Sequence, residues 1–341
     1  MINNPLVCIC IPIYNNEKTI SNTLVSILNQ TYKNIMIKIF DNVSTDNGMK
    51  LLKEFEKKYS NIQVFQNEIN IGAEANFARC IEGLEGDFGA IYHADDIYHP
   101  TIVEEQVNKL SQNDISVVFV RANLIDESSN NIGEQFFPDE LKDKPFHQFN
   151  FKQLFSLILK YDNFLITPSA MAKVSIYKNE IKLWNGNKFK SSADLDVWLR
   201  FSEIKDIGLI TDKLILYRMS TASFSYRTKF KRVIERDMFL VIDFYLKKYK
   251  DINFNISDYA YLKFKDKILV IGNKILNNKS VNENQITLLD FKVLNKILSD
   301  KQKFKIYIYA VILKILLTFK LNKSLINVIK KVNNIPEDIV F

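Results

Sequence analysis

Phe88-Gly-Ala-Ile-Tyr-His-Ala-Asp-Asp-Ile-Tyr-His-Pro100 is an apolar run that ends in two adjacent carboxylates, Asp95 and Asp96. A buried strand ending in paired acids and a turn places those acids at the rim of a sheet. In open parallel sheets, ligands bind in the crevice at that rim. Two carboxylates there suit a divalent cation, and such a cation suits a diphosphate. Upstream, Ile35-Met-Ile-Lys-Ile-Phe-Asp41 is a second strand-like run that ends in an acid. Downstream, Asp194-Leu-Asp196 forms a third acidic cluster. The competing reading makes Asp96 a cap for a helix starting near Thr101. Capping explains one acid; a metal explains both.

Working outward, short apolar runs alternate with amphipathic segments. Val7–Ile13, Ile35–Phe40, Ile62–Phe65, Phe88–His93 and Ser116–Ala122 read as strands. Ile20, Leu24, Ile27 and Leu28 mark one helix face, and Leu51, Leu52, Phe55 and Tyr59 a second. Ala75–Leu84 reads as a third helix. Such alternation implies right-handed crossovers and a mostly parallel α/β sheet with helices on both faces. Phe136-Phe-Pro138 and Pro145 predict an irregular excursion over 126–160. A helix is expected near Asp196–Phe201 with Asp194 at its start, then two short strands, Ile207–Thr211 and Leu214–Met219.

The chain has 341 residues, 47% of them hydrophobic, so a large core is available and disorder is excluded as the default. Cys8 and Cys10, two apart on a strand, share a face and read as small core residues. With Cys80 the cysteines number three, and none is followed by a further Cys or His at metal-ligand spacing. That usage fits a reducing cytoplasm. Val7–Ile13 is short and holds a proline, so it reads as neither a signal sequence nor a membrane span.

Charge divides the chain. Residues 226–341 hold about 23 basic against 11 acidic residues, whereas 1–225 hold 23 against 28. We expect a domain over 1–225 and a basic, mainly helical region over 226–341. The most apolar stretch of the latter, Ile306–Phe319, is flanked by Lys301, Lys303, Lys305, Lys320 and Lys323. It is too short to span a bilayer of ~30 Å. It suits the interface of an anionic membrane or, equally, a neighbouring helix or the second subunit of a homodimer. No platform of basic and aromatic residues points to nucleic acid.

Six ordered pieces of the first part resemble glycosyltransferase family 2, the inverting enzymes of the GT-A (Rossmann-like) fold. They are Val7-Cys-Ile-Cys-Ile-Pro-Ile-Tyr-Asn15, Ser26-Ile-Leu-Asn-Gln-Thr-Tyr32, Phe40-Asp-Asn-Val-Ser-Thr-Asp46, Asn70-Ile-Gly72 with Asn76, His93-Ala-Asp-Asp96, and Ser192-Ala-Asp-Leu-Asp-Val-Trp-Leu-Arg200 followed by Leu216-Tyr-Arg-Met219. The resemblance covers about residues 5–225. It implies a nucleotide-sugar donor, a UDP-sugar, and a cell-surface glycan or lipid-linked oligosaccharide as acceptor. It further implies Mg²⁺ or Mn²⁺ held by Asp95 and Asp96. Pro12, Tyr14, Asn15, Asp41, Asn42, Asn70, Gly72, Asn76 and Asp95 are the expected donor contacts. Asp194 is the expected general base, favoured by motif position over Asp196, which reads as a structural acid. Trp198 and Arg200 read as packing and salt-bridge residues.

This sequence departs from the family's pattern at several points. His93 stands for the first acid of the usual Asp-x-Asp-Asp motif, Asn42 for a common second Asp, Ala193 for a Glu, and Ser220 for a histidine that ligates metal in relatives. These motivate one rival expectation, a non-catalytic sugar-nucleotide-binding or scaffold protein. A nucleotidyltransferase is the other, and Pro12-Ile-Tyr-Asn-Asn16 lacks the Gly-rich basic loop of that class. The expected location is cytoplasmic, peripheral on the inner face of the cell membrane.

Overall fold

A computed structural model of the chain describes residues 4–219, 232–277, 279–289, 293, 294, 298, 300–320 and 326–329. Ser220 lies outside these residues. The chain divides into two compact units, Met1–Phe155 with Asn163–Met219, and Ser156–Asp162 with Ser220–Phe341.

The first unit is built on a ten-stranded sheet. In chain order its elements begin β1 (Val7–Ile13), α1 (Ile20–Leu28), β2 (Ile35–Asp41), α2 (Gly48–Lys58), β3 (Ile62–Gln66), α3 (Ala73–Gly83) and β4 (Phe88–Ile91). β5 (Ile97–Tyr98), α4 (Ile102–Gln112), β6 (Val117–Ile125), β7 (Asn131–Glu134), β8 (Phe146–Phe149) and the first residues of α5 (Phe151–Tyr161), the rest of which belongs to the second unit, follow. The unit closes with β9 (Met171–Lys173), α6 (Ala193–Ile204) and β10 (Ile207–Arg218). The strand order is β3-β2-β1-β4-β9-β6-β10-β5, with β7 beside β6 and β8 beside β10. The long ladders β3-β2-β1-β4 and β6-β10 are parallel, and the antiparallel ones are two to four pairs long.

Side chains alternate across β1, and each face finds its own cover. Val7, Ile9, Ile11 and Ile13 pack in one core with Ile20, Leu24 and Ile27 of α1 and Val103, Val107 and Leu110 of α4. On the opposite face α3 approaches β2 so closely that a Cβ added at Gly83 would lie 2.3 Å from the Phe40 ring. Cys8 and Cys10 occupy that face as buried free thiols with sulfurs 3.9 Å apart. Lys38, the charge inside β2, is buried and pairs with Glu85 at 2.6 Å.

Two expectations need correction. Ile207–Arg218 is one strand, not two. Its pairing with β6 shifts register between Ile210 and Ile215, so a bulge absorbs polar Thr211-Asp212-Lys213 without ending the ladder. The expected irregular stretch 126–160 instead supplies edge strands β7 and β8 and helix α5. Those strands are four residues each, and β7 is exposed throughout, so no hydrophobic alternation announced them.

The second unit contains α7 (Met238–Lys248), α8 (Ile256–Leu276) and α9 (Lys301–Thr318). Tyr261, Phe264, Ile268 and Ile271 of α8 share a core with Tyr309, Ala310 and Leu313 of α9. Lys314, inside the apolar run, donates to the Ile286 carbonyl at 3.1 Å. Buried Asp266 receives Arg232 at 2.7 Å and Arg236 at 2.9 Å. Ile308, Ile312, Ile315 and Phe319 stay 40–69% exposed on the other side of α9. Among the described residues, no helix is long and apolar enough to cross a membrane.

Candidate active site

A cleft of about 240 Å³ opens at the carboxyl ends of β1, β2 and β4. Pro12, Tyr14 and Asn16, Asn42, Asn76 and Phe77, and His93, Ala94 and Asp95 line it. Of the expected donor residues, Pro12, Tyr14, Asn42, Asn76 and Asp95 therefore stand on its wall. Asn15, Asp41, Asn70 and Gly72 hold the loops behind the wall.

The way they hold those loops follows from their chemistry. Asn15 sits in the left-handed region at φ 55°, which Asn tolerates better than most residues. Its N–H donates to Ser44 Oγ at 2.9 Å, and its Oδ1 accepts the Thr45 N–H at 2.8 Å. The turn after β1 is thereby laced to the turn after β2. Asp41 is fully buried and closes the turn after β2, accepting the Ser44 N–H at 3.1 Å and Gln66 Nε2 at 3.0 Å. Within that turn Val43 is held at φ 65°, a strained conformation for a β-branched residue.

Amides join β2 to the next loop. Asn42 Oδ1 accepts Asn67 Nδ2 and the Ile71 N–H, each at 2.9 Å, and Asn42 Nδ2 donates to Asn70 Oδ1 at 2.9 Å. Asn76 donates to the Phe40 carbonyl at 2.8 Å. Gly72 has φ +83° with open space where a Cβ would point, so backbone conformation alone explains glycine there.

The acid pair is held by its backbone. Thr23 Oγ1 donates to the Asp96 carbonyl at 2.7 Å and Thr19 Oγ1 to the Ala94 carbonyl at 3.0 Å. Arg218, which sequence reading left without a role, comes from the end of β10. Its N–H donates to Asp96 Oδ1 at 2.8 Å and its Nε to the Asp95 carbonyl at 2.8 Å. Its remaining nitrogens reach the Asp126 carbonyl at 2.7 Å and Ser129 Oγ at 3.0 Å. Asp96 does not cap α4; Thr101 occupies the cap position.

Asp96 is fully buried, and its Oδ2 has no hydrogen-bond partner. His93 Nδ1 lies 3.9 Å away, and His93 Nε2 is buried and unpartnered too. Burial above all, then the Asp95 charge, pushes the Asp96 carboxyl well above the carboxylate range, and Arg218 opposes them. One donor atom from each of His93, Asp95 and Asp96 falls within 4.8 Å of the others. Orphaned buried donors of this kind fit a divalent cation.

Asp194 opens α6. Its Oδ2 accepts Thr167 Oγ1 at 2.7 Å and its Oδ1 accepts the Leu195 N–H at 2.8 Å. Burial pushes its carboxyl up, against the hydrogen bonds from Thr167 and Leu195. A relay of contacts links it to the cleft: Trp198 Nε1 donates to Thr167 Oγ1 at 3.3 Å, Trp198 meets Trp184 edge-on, and Trp184 stacks on Phe77 at 5.2 Å. Asp196 is buried and receives Arg200 Nε and Asn185 Nδ2, each at 2.9 Å. Arg200 also donates to the Ile181 and Leu183 carbonyls, which ties the Trp184 loop to α6. Phe77, Trp184, Thr167 and Asn67 were not expected here. Only an Asn directly after β3 signalled the last.

Replacing Arg218 with Ala strips donors from three carbonyls, those of Asp95, Asp126 and Glu127, and from the Ser129 hydroxyl. We expect a loss of at least ~2 kcal/mol in unfolding free energy, measured by urea titration. Arg218→Lys is expected to recover little, since an ammonium cannot reproduce the fork.

A Rossmann-like sheet with an acid pair at its rim, a cleft beside it and a half-buried carboxylate at a nearby helix start defines a GT-A transferase. Residues 8–179 match the family model for Glycosyl transferase family 2, and the chain belongs to that family. Sequence relatives include an uncharacterized glycosyltransferase of Methanocaldococcus jannaschii, 30% identical over 235 residues, covering 68% of this chain and 76% of the relative. Glycosyltransferase GlyG of Streptococcus pneumoniae is 27% identical over 251 residues, covering 72% and 80%. Among solved structures, residues 1–349 of Staphylococcus aureus TarS in complex with UDP share the fold at TM-score 0.54 and 16% identity, covering 89% of this chain and 90% of that one. The mannosyltransferase PcManGT of Pyrobaculum calidifontis, in complex with GDP-Man and Mn²⁺, gives TM-score 0.52 at 11% identity, covering 99% and 89%. Family membership sets aside the nucleotidyltransferase.

Proposed function

We propose that this glycosyltransferase inverts configuration, moving a hexosyl or N-acetylhexosaminyl group from a UDP-sugar to a glycan or lipid-linked oligosaccharide at the cell envelope. The carrying observation is the juxtaposition of the amide-walled cleft with His93, Asp95 and Asp96, of which His93 Nε2 and Asp96 Oδ2 are buried without a partner. Tyr14 presents an exposed ring to the nucleobase side, and Asn42 and Asn76 set the depth of the cleft. Asp95 and Asp96 would hold a divalent cation, which would supply neutralisation of the departing diphosphate. Asp194 accepts the proton of the acceptor hydroxyl as that oxygen bonds to the anomeric carbon. The bond from that carbon to the phosphate oxygen breaks with its electron pair, so UDP leaves. The solved relatives described with UDP and with GDP-Man support a nucleoside diphosphate sugar as donor.

The deciding experiment is a panel of nucleotide sugars assayed for metal-dependent turnover, including slow hydrolysis without acceptor. Turnover of a UDP-sugar is the expected result. Failure of every donor to bind or react would return the chain to a scaffold role.

The exposed stripe of α9 supports a peripheral membrane location. Lys301 and Lys305 continue the same face as Ile308, Ile312, Ile315 and Phe319, and both are exposed. Cationic residues beside an apolar stripe suit an anionic bilayer surface, with each lysine near the surface contributing about 1 kcal/mol. Flotation with anionic vesicles at low salt is expected to carry the protein upward. Absence of flotation, with a stable dimer in solution, would assign the stripe to a second subunit.

A further inference from the structure

We propose that His93 is a metal ligand and that its nitrogen makes this site select Mn²⁺, or a later first-row ion, over Mg²⁺. The inference rests on the donor reading above and concerns the position where this chain carries an imidazole in place of a carboxylate.

The geometry begins with how His93 is held. Its N–H donates to Tyr98 OH at 2.9 Å, and Tyr98 is locked face to face on Tyr92 with ring centres 3.7 Å apart. The edge of Phe77 meets the imidazole at 5.7 Å. The backbone and ring are therefore fixed from two sides, while the ring nitrogens are left for something else. Nδ1 stands 3.9 Å from Asp96 Oδ2, beyond hydrogen-bond length, and Asp96 Oδ2 is buried with no other partner. An ion pair would have closed that gap. Two donors sharing one ion at about 2.0–2.2 Å each lie up to about 4.4 Å apart, and 3.9 Å falls inside that span. Asp95 completes the set within 4.8 Å, a spread that a small rotation of half-buried side chains closes.

The consequence for ion choice is chemical. Mg²⁺ demands near-ideal octahedral oxygen coordination and keeps its waters, so an imidazole is a poor exchange for one of them. Affinity for nitrogen donors rises along the first-row series, and imidazole ligation favours those ions over Mg²⁺. An all-carboxylate version of the site would discriminate less.

The test uses the full chain with UDP and reads binding directly. Mn²⁺ is titrated by electron paramagnetic resonance, and Mg²⁺ by its competition with Mn²⁺. Wild type is expected to hold Mn²⁺ at least ~10-fold more tightly than Mg²⁺, and His93→Asp to narrow that ratio by a similar factor. Pulsed measurements on the Mn²⁺ complex are expected to show nitrogen-14 modulation from a directly bound imidazole, absent in His93→Asp. Mn²⁺ bound without nitrogen modulation, or an unchanged ratio in the variant, overturns the inference. Either result with sugar transfer intact leaves the donor reading standing. Absence of any bound ion, with UDP present, defeats both.

Discussion

Asp194→Asn is expected to slow sugar transfer by about 10²–10⁴-fold, the usual contribution of a positioned general base. UDP affinity is expected to stay near wild type, because the carboxylate sits at the start of α6 and is absent from the residues lining the cleft. Asparagine can still accept from Thr167, so the helix start keeps its anchor and the variant should fold. Burial raises the Asp194 carboxyl above its ordinary value, and the deprotonated form is the one that accepts a proton. Transfer therefore falls as pH drops through that raised value, and the acidic limb lies above the ordinary ~3.9 of an aspartate. The limb is expected to vanish in Asp194→Asn. Normal transfer by this variant, with loss in Asp196→Asn, would move the base two residues on. The pairing of Asp196 with Arg200 and Asn185 argues against that outcome.

The second large effect is expected at the acid pair. Asp96→Asn, or removal of divalent ions with EDTA, is expected to reduce kcat/KM by about 10²-fold, equivalent to 2–3 kcal/mol of transition-state stabilisation. The fold loss should be small, since an amide oxygen can replace Oδ1 as acceptor of the Arg218 N–H. The charge lost is the one on Oδ2, which faces His93. Adding EDTA to Asp96→Asn should then cost little more, because both changes remove the same stabilisation. Full activity of the variant in EDTA would defeat the metal assignment.

The parts of this architecture legible in the sequence were those with strong local periodicity. β1 and β2 are buried on both faces and read as apolar runs, broken in β2 only by Lys38, and each ends in residues that suit a turn or a ligand. The acid pair was legible because two carboxylates after an apolar strand have few structural uses. Arg218 was not legible as a clamp, since its partners are mostly carbonyl oxygens of distant loops, and carbonyls carry no sequence signal. The Trp184 loop was hidden for a similar reason. It has little regular structure, and the Arg200 and Asn185 contacts that fix it appear only when α6 is in place. His93 stood out as a departure, yet its meaning depended on the unpartnered oxygen of Asp96, a purely three-dimensional fact.

The amide network behind the cleft has a consequence for how the enzyme meets its surroundings. Asn15, Asn42, Asn67, Asn70 and Asn76 join the loops with groups that neither gain nor lose protons. A frame of carboxylates and lysines would loosen or tighten with acidity and with ionic strength. These amide links are silent to both. Acidification or salt stress then leaves those asparagine links unchanged and acts instead on the charged groups of the site.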